Sequence, residues 1–383
     1  MSVTAPLGFR AAGVSAGLKS ADARDVALVV NDGPSRAAAG VFTGNRVRAA
    51  PVLWSEQVLA GGRVKAVVLN SGGANACTGP DGFADTHATA EHVGAALDDS
   101  PGEVAVCSTG LIGERLPMAK LLPGVDRAAA ALSRDGGLAA ADAIRTTDTV
   151  AKISFRRGEG YMVGAMAKGA GMLAPALATM LSVITTDADL PAEALDRVLR
   201  QAVSVTFDRL DADGCMSTND CVLLLASGAT GVKPDEAAFA ALVTEVCADL
   251  AHQLAVDAEG ASKTIAIDVV GAASERDALT VGRTIARNNL LKCAIHGEDP
   301  NWGRVLAAAG TTDAAFDPDK LAVAINNVWV CRDGYAADDR GNVDLRPRDV
   351  TVTIDLAAGR HQATITTTDL TADYVHENSA YST

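Results

Sequence analysis

A chain of 383 residues with a formal charge of −14 is long enough for a large core and a smaller companion unit, and carries the wrong sign to grip a phosphate backbone. Only 4% of it is aromatic against 48% apolar overall, so the interior must be built from Ala, Val, Leu and Ile on closely packed backbones, as layered α/β enzymes build theirs. No Lys/Arg cluster with interleaved aromatics offsets the charge, which excludes nucleic acid as a partner, but one or two placed cations would still hold a small carboxylate.

In chain order, MSVTAPLGFRAAG lacks both a positive segment and a long apolar run, and no stretch reaches the ~18 uninterrupted apolar residues a bilayer needs. A soluble cytoplasmic protein without membrane contact is expected. Strands are predicted at Val26 to Val30, Val64 to Leu69, Val104 to Cys107, Leu181 to Thr185 and Val222 to Leu225, then at Thr264 to Val270, Leu321 to Ile325 and Val350 to Ile354. Helical periodicity spans Gly82 to Leu97, Pro191 to Val205, Pro234 to Val256 and Ser274 to Leu291. Asp299-Pro300 reads as an N-cap with Pro at the first helical position, opening a helix through Val305 to Ala309. The class is α/β or α+β. No low-complexity linker interrupts it, and a division is expected near Gly271, giving units 1–270 and 271–383.

Seven Cys, at 77, 107, 215, 221, 247, 293 and 331, show no C-x-x-C pair and read as reduced thiols. The six His lack metal-ligand spacing, so no metal is expected. Gly13-Val14-Ser15-Ala16-Gly17 matches a nucleophile elbow, but too little chain precedes it to supply the buried strand an elbow needs. Lys168-Gly169-Ala170-Gly171 lacks the Gly-Lys-Ser/Thr of a phosphate loop. By periodicity alone, Lys168 to Leu181 is a Gly/Pro-punctuated loop entering a buried strand, and Thr179 merely packs there. Lys168 and Glu259 read as surface charges, and Asn378 and Thr383 as a frayed tail.

The same stretch, KGAGMLAPALATML, resembles the self-cleavage segment of the ornithine acetyltransferase (glutamate N-acetyltransferase) family, and five further segments match in family order. They are Asn70 to Gly79, Ser108 to Gly113, Thr146-Thr147-Asp148, Ser217 to Asp220 and Asp299 to Arg304, and the chain closes on Glu377 to Thr383 as the family does. Two departures stand out: Ala176-Leu177 replaces the usual Asn-Met, and Asp257-Ala258-Glu259-Gly260 the usual Asp-Gly-Glu-Gly.

The resemblance implies an N-terminal-nucleophile-like α/β/β/α sandwich with a smaller C-terminal α/β domain. It implies self-cleavage between Ala178 and Thr179 into an α chain, 1–178, and a β chain, 179–383, which stay together and pair as an α2β2 heterotetramer. Thr179 would become the nucleophile, with Thr109 and Gly110 as the oxyanion hole and Thr146, Lys168, Thr179, Glu259, Asn378 and Thr383 binding substrate. The chemistry is coherent: scission frees an α-amino group with a pKa of about 8 beside its own hydroxyl. The implied reaction moves acetyl from N-acetylornithine to glutamate in a ping-pong cycle of arginine biosynthesis. No cofactor is implied, and acetyl-CoA remains open as a second acetyl donor. The rival reading is an amidohydrolase or aminopeptidase using the same Thr, in which water takes the acyl group.

Overall fold

A computed structural model describes residues 2–19, 22–174 and 180–380. β1 (Phe9–Val14), β2 (Val26–Asn31) and β3 (Ala38–Phe42) lead into α1 (Ala50–Ala60). β4 (Ala66–Asn70) pairs in parallel with β5 (Val104–Ser108), so a helix, α2 (Gly79–Leu97), must carry the chain back between them. Next come α3 (Met118–Ala130), α4 (Gly137–Ala143) and the hairpin β6 (Lys152–Arg157) and β7 (Met162–Lys168). β8 (Leu181–Thr186), α5 (Ala192–Val205), β9 (Cys221–Ala226) and α6 (Glu236–Val256) follow. The remainder opens with β10 (Thr264–Ala272), α7 (Glu275–Ala286), α8 (Asn289–His296) and α9 (Trp302–Ala309). It closes with β11 (Ala322–Ile325), β12 (Val328–Arg332), β13 (Tyr335–Ala336), β14 (Asp349–Asp355), β15 (His361–Thr368) and α10 (Ala372–Ala380).

Two sheets, β1-β2-β4-β5 and β3-β9-β8-β7-β6, form the larger unit. They face each other through Ala27, Val29, Val67 and Leu69 on one side and Met166, Leu181, Val183, Leu223 and Leu225 on the other. The opposite faces are apolar too. Leu28, Val30 and Val68 pack under Val93 of α2 and Leu121 and Val125 of α3, while Val163, Ile184 and Leu224 pack under Leu195 and Leu199 of α5 and Val243 and Leu250 of α6. Strands buried on both faces read as continuous apolar runs, which is why β2, β5, β8 and β9 are legible as strands without alternation. The layering is therefore helix, sheet, sheet, helix: an α/β/β/α sandwich. α6 is long and apolar enough, by length and composition, to cross a membrane; here Phe239, Val243, Val246 and Leu250 bury against the second sheet.

A third sheet, β13-β12-β11-β14-β10-β15, carries α7, α8 and α9 over a separate core that includes Ile267, Val281, Ile285, Val323, Ile354 and Ile365. β10 pairs with β14 and β15, so this layer starts at Thr264 and position 271 falls inside its first strand. The sandwich meets it where Asp211 N donates to Thr366 O at 2.8 Å and Arg287 Nε reaches Asp211 Oδ2 at 2.7 Å.

Several elements depart from expectation. The helix foreseen over Ser274 to Leu291 breaks after Ala286, because Asn288 accepts from Leu291 N at 3.0 Å and starts α8. α9 begins at Trp302 rather than at Pro300: Asn301 N turns back to Asp299 O at 2.8 Å, so Asp299-Pro300 forms a turn ahead of the helix. Ser15 follows an antiparallel edge strand, with no helix leading out of it, and is no nucleophile elbow.

Candidate active site

The site lies where β5 and β7 end. Thr109 N donates to Asn70 O at 2.9 Å, and Gly73 N donates to Thr109 O at 3.0 Å. Asn70 Oδ1 accepts from Ser108 Oγ at 2.6 Å, and Asn219 Nδ2 donates to Ser108 O at 2.8 Å and Ala74 O at 2.6 Å. Three segments far apart in sequence are thus sewn around one turn. Gly110 sits at φ +128°, and a Cβ there would lie 2.7 Å from Gly73 N, so only glycine fits. Its own N–H has no acceptor among the described residues.

Lys168, the last residue of β7, is 2% exposed, and its Nζ donates to Thr109 Oγ1 at 3.2 Å. An ammonium only donates, so the Thr109 hydroxyl accepts from it and is left with its own hydrogen to offer the cleft. Burial pushes the Lys168 ammonium below its ordinary pKa, against the pull of Asp148 and Asp220. Asp148 positions the surroundings: Oδ1 accepts from Lys152 Nζ at 2.7 Å and Gly169 N at 2.6 Å, and Oδ2 accepts from Thr146 N at 3.0 Å. Burial, the largest single effect, would raise its carboxyl, but the charges of Lys168 and Lys152 together with the hydrogen bonds from Gly169 N and Lys152 Nζ hold it below the usual carboxylate range.

Glu259 closes the opposite wall. Its Oε1 accepts from Thr147 Oγ1 at 2.7 Å and its Oε2 from Asn378 Nδ2 at 3.0 Å. A Cβ on Gly171 would stand 2.4 Å from Glu259 Oε2, so the glycine lets the loop after β7 pass beside the carboxylate. α10 supplies Asn378 and Tyr374; burial pushes the Tyr374 phenol up to about 12. Asp213 accepts from Leu173 N at 3.2 Å and Cys215 N at 3.0 Å, tying the same loop to the chain before β9; burial raises its carboxyl.

These groups enclose a cleft of about 190 Å³ in which Thr109, Gly110, Thr146, Lys168, Glu259 and Asn378 all face the space. The six substrate and oxyanion positions named from the sequence that fall in the described residues therefore converge. Ala178, Thr179 and Thr383 lie outside the described residues. Sequence reasoning missed Asp213, Cys215 and Tyr374 as lining residues and Asp220 beneath them; Thr147 and Asp220 stand in the matching segments, but no spacing marks them as cleft groups. A larger hollow of about 430 Å³ separates α6 from the six-stranded sheet, but its one guanidinium, Arg209, is already held by Glu275 at 2.7 Å. Among the described residues no group of three or more His, Cys, Asp or Glu is arranged to hold a metal ion.

The arrangement, two donors beside a buried cation and a carboxylate across the cleft, suits a zwitterionic substrate whose carbonyl is attacked. Comparison with known proteins gives the family. The model of the ArgJ family matches residues 10–383. The arginine biosynthesis bifunctional protein ArgJ of Thermobifida fusca is 71% identical over 383 residues, covering 100% of both chains. Its namesake from Mycobacterium tuberculosis strain H37Rv is 57% identical over 388 residues, covering 99% of this chain and 96% of its own. A crystal structure of ornithine acetyltransferase complexed with ornithine, from Mycobacterium tuberculosis, is 56% identical, covers 47% of this chain and 96% of the solved one, and has a TM-score of 0.42. With nearly its whole length matched, the chain belongs to the ArgJ family and is an acyltransferase of arginine biosynthesis acting on small molecules.

Proposed function

We propose that this chain cuts itself between Ala178 and Thr179 and then carries acetyl from N-acetylornithine to glutamate as an ester on Thr179. The observation that carries the reading is the convergence of Thr109, Gly110, Lys168 and Glu259 on one cleft, which Gly171 and Met172 also line, a few residues before Thr179 in sequence. The Thr109 hydroxyl and the Gly110 N–H stabilise the oxyanion formed when Thr179 Oγ attacks the acetyl carbonyl. Lys168 neutralises a substrate carboxylate, and Glu259, with Asn378, satisfies an ammonium; Thr146 and Thr383 complete the substrate contacts. Release of ornithine leaves the acetyl ester, which glutamate resolves. The cycle needs no cofactor, and acetyl-CoA could reload the same ester.

The two products would stay together. In the five-stranded sheet β3, β7 and β6 precede the cut and β9 and β8 follow it, so two inter-strand seams, β3·β9 and β7·β8, would hold the fragments. Pairing of two such units gives α2β2, and a cytoplasmic location fits the free thiols.

Intact-mass analysis should show two fragments, the second starting at Thr179, and a +42 Da adduct on that fragment after N-acetylornithine, consistent with an acetyl ester (about 42 Da per acetyl). Thr179→Ala should leave one inactive chain of 39.0 kDa. Ornithine release that proceeds equally without glutamate would hand the reading to the hydrolase; full activity from an unbroken chain would end it.

A further inference from the structure

Two consecutive peptide planes make the turn at the end of β5, and they offer four hydrogen-bonding edges. Three are spent. In the plane of Ser108 and Thr109, Thr109 N donates to Asn70 O at 2.9 Å and Ser108 O accepts from Asn219 Nδ2 at 2.8 Å. In the plane of Thr109 and Gly110, Thr109 O accepts from Gly73 N at 3.0 Å, and the Gly110 N–H has no acceptor among the described residues. In a trans peptide, as these are, the carbonyl and the N–H point in opposite directions. Holding Thr109 O against Gly73 therefore turns the Gly110 N–H away from Gly73, and Gly110 lines the cleft.

The segments on either side of that turn are held together by a side chain from far along the sequence. Asn219, 5% exposed and just ahead of β9, donates through Nδ2 to Ser108 O and, at 2.6 Å, to Ala74 O. One amide group thus clamps both flanks of the bridge between Gly73 and Thr109. Two carbonyls can be met only by the NH2 end, which fixes how the amide is turned. Its oxygen accepts from Thr218 Oγ1 at 2.6 Å, so both polar atoms of the side chain are engaged. The backbone around it is anchored in turn: Thr218 O accepts from Ala49 N and Asp220 O from Thr43 N, each at 3.0 Å.

We propose that Asn219 is a positioning residue of the oxyanion hole: by clamping Ser108 O and Ala74 O it aims the Gly110 N–H at the oxygen of the attacked acetyl carbonyl. This deepens the oxyanion reading above and rests on it. Asn219 acts through the backbone and touches no substrate atom. Displacing a donor by about 1 Å is enough to cost ~10²-fold in rate. Asn219 follows position 179, whereas Gly73, Ser108 and Gly110 precede it, so under the cleavage reading one fragment aims a hole carried by the other.

Mature Asn219→Ala should lose ~10–100-fold in kcat while its Kd for ornithine, taken by calorimetry, stays within about twofold of the parent. Infrared spectra read the hole itself. Enzyme loaded from N-acetylornithine with an isotope-labelled acetyl carbonyl should show an ester band lowered by hydrogen bonding in the parent, moved up toward the free-ester position in the Ala variant. A variant that keeps the parent's kcat, or that loses ornithine binding in proportion to kcat as a mere brace of the fold would, overturns the proposal. Should the Ala variant fail to fold or mature, Thr218→Val, which frees Asn219 Oδ1 but leaves the amide in place, decides. Its kcat should drop ~3–10-fold with ornithine binding intact, and an unchanged kcat sinks the role. A parent band already at the free-ester position would remove the oxyanion reading and this role with it. A parent band that is lowered, but unmoved in the variant, removes Asn219 alone.

Discussion

Two lysines on one hairpin are buried to different ends. Lys152 opens β6, is 0% exposed, and is saturated by carboxylates: Asp148 Oδ1 at 2.7 Å and Asp257 Oδ2 at 2.5 Å. Lys168 closes β7, next to Ala167, the residue paired with Lys152, and among the described residues its Nζ donates only to a hydroxyl, Thr109 Oγ1, at 3.2 Å. Burying an ion is costly, and the cost is recovered only when its partners satisfy it. Lys152 is a strut, holding the start of the hairpin to the end of α6. Among the described residues Lys168 leaves donors unspent beside a cleft, and desolvation, the larger effect, lowers its pKa. Incomplete satisfaction is what separates the proposed binding cation from the structural one.

Substitutions can break this contrast at four points. Lys152→Met strands two carboxylates in the interior and should cost about 3–5 kcal/mol, read as a lower denaturant midpoint. An unchanged midpoint would mean that Lys152 is no strut. Thr109→Ala removes the proposed oxyanion hydroxyl, which is also the one hydrogen-bond partner of Lys168 Nζ among the described residues; kcat should fall ~10²–10³-fold with KM little altered in steady-state assays. A change confined to KM would move Thr109 from catalysis to binding. Lys168→Met should reduce kcat/KM by ~10–100-fold through KM while the melting temperature holds or rises, because a poorly paired buried charge is lost. Severe destabilisation there would make the two lysines alike.

The smallest effect is on acid stability. The Asp148 carboxyl titrates lower folded than unfolded, so the unfolded chain binds the proton first as pH falls. Its stabilising share is complete above the unfolded value of about 3.9 and drains away as pH drops through the folded one. Asp148→Asn should therefore be less stable than the parent near neutrality and converge on it in acid, followed by denaturant melts across that range. A constant gap between the two curves would contradict a lowered carboxyl at this position.

Legibility in the sequence tracks how each element is buried. β2, β5, β8 and β9 are apolar on both faces, and their Val- and Leu-rich runs announce them. β7, MVGAMAK, does not: Gly164, Ala165 and Ala167 carry no β-branched signal, yet this strand delivers Lys168. α10 reads as a tail because none of its residues is buried, and it is placed by Thr371, whose hydroxyl donates to Gly260 O at 2.7 Å and accepts from Tyr374 N at 2.9 Å. The cleft itself is legible through family resemblance alone. Lys168 and Glu259 are 91 residues apart, a separation that nothing in periodicity relates. Asp220 escapes because a lone acid before a strand looks like a turn residue until its burial is seen.

The interleaved order of the five-stranded sheet has a consequence for renaturation. A chain severed at 178/179 would have been threaded as one piece, with each loop closing against its own neighbour at high effective concentration. Once severed, the same sheet could be rebuilt from the unfolded state only by collision of two separate polypeptides, so recovery would depend on dilution, and activity lost to heat in a thin solution would stay lost.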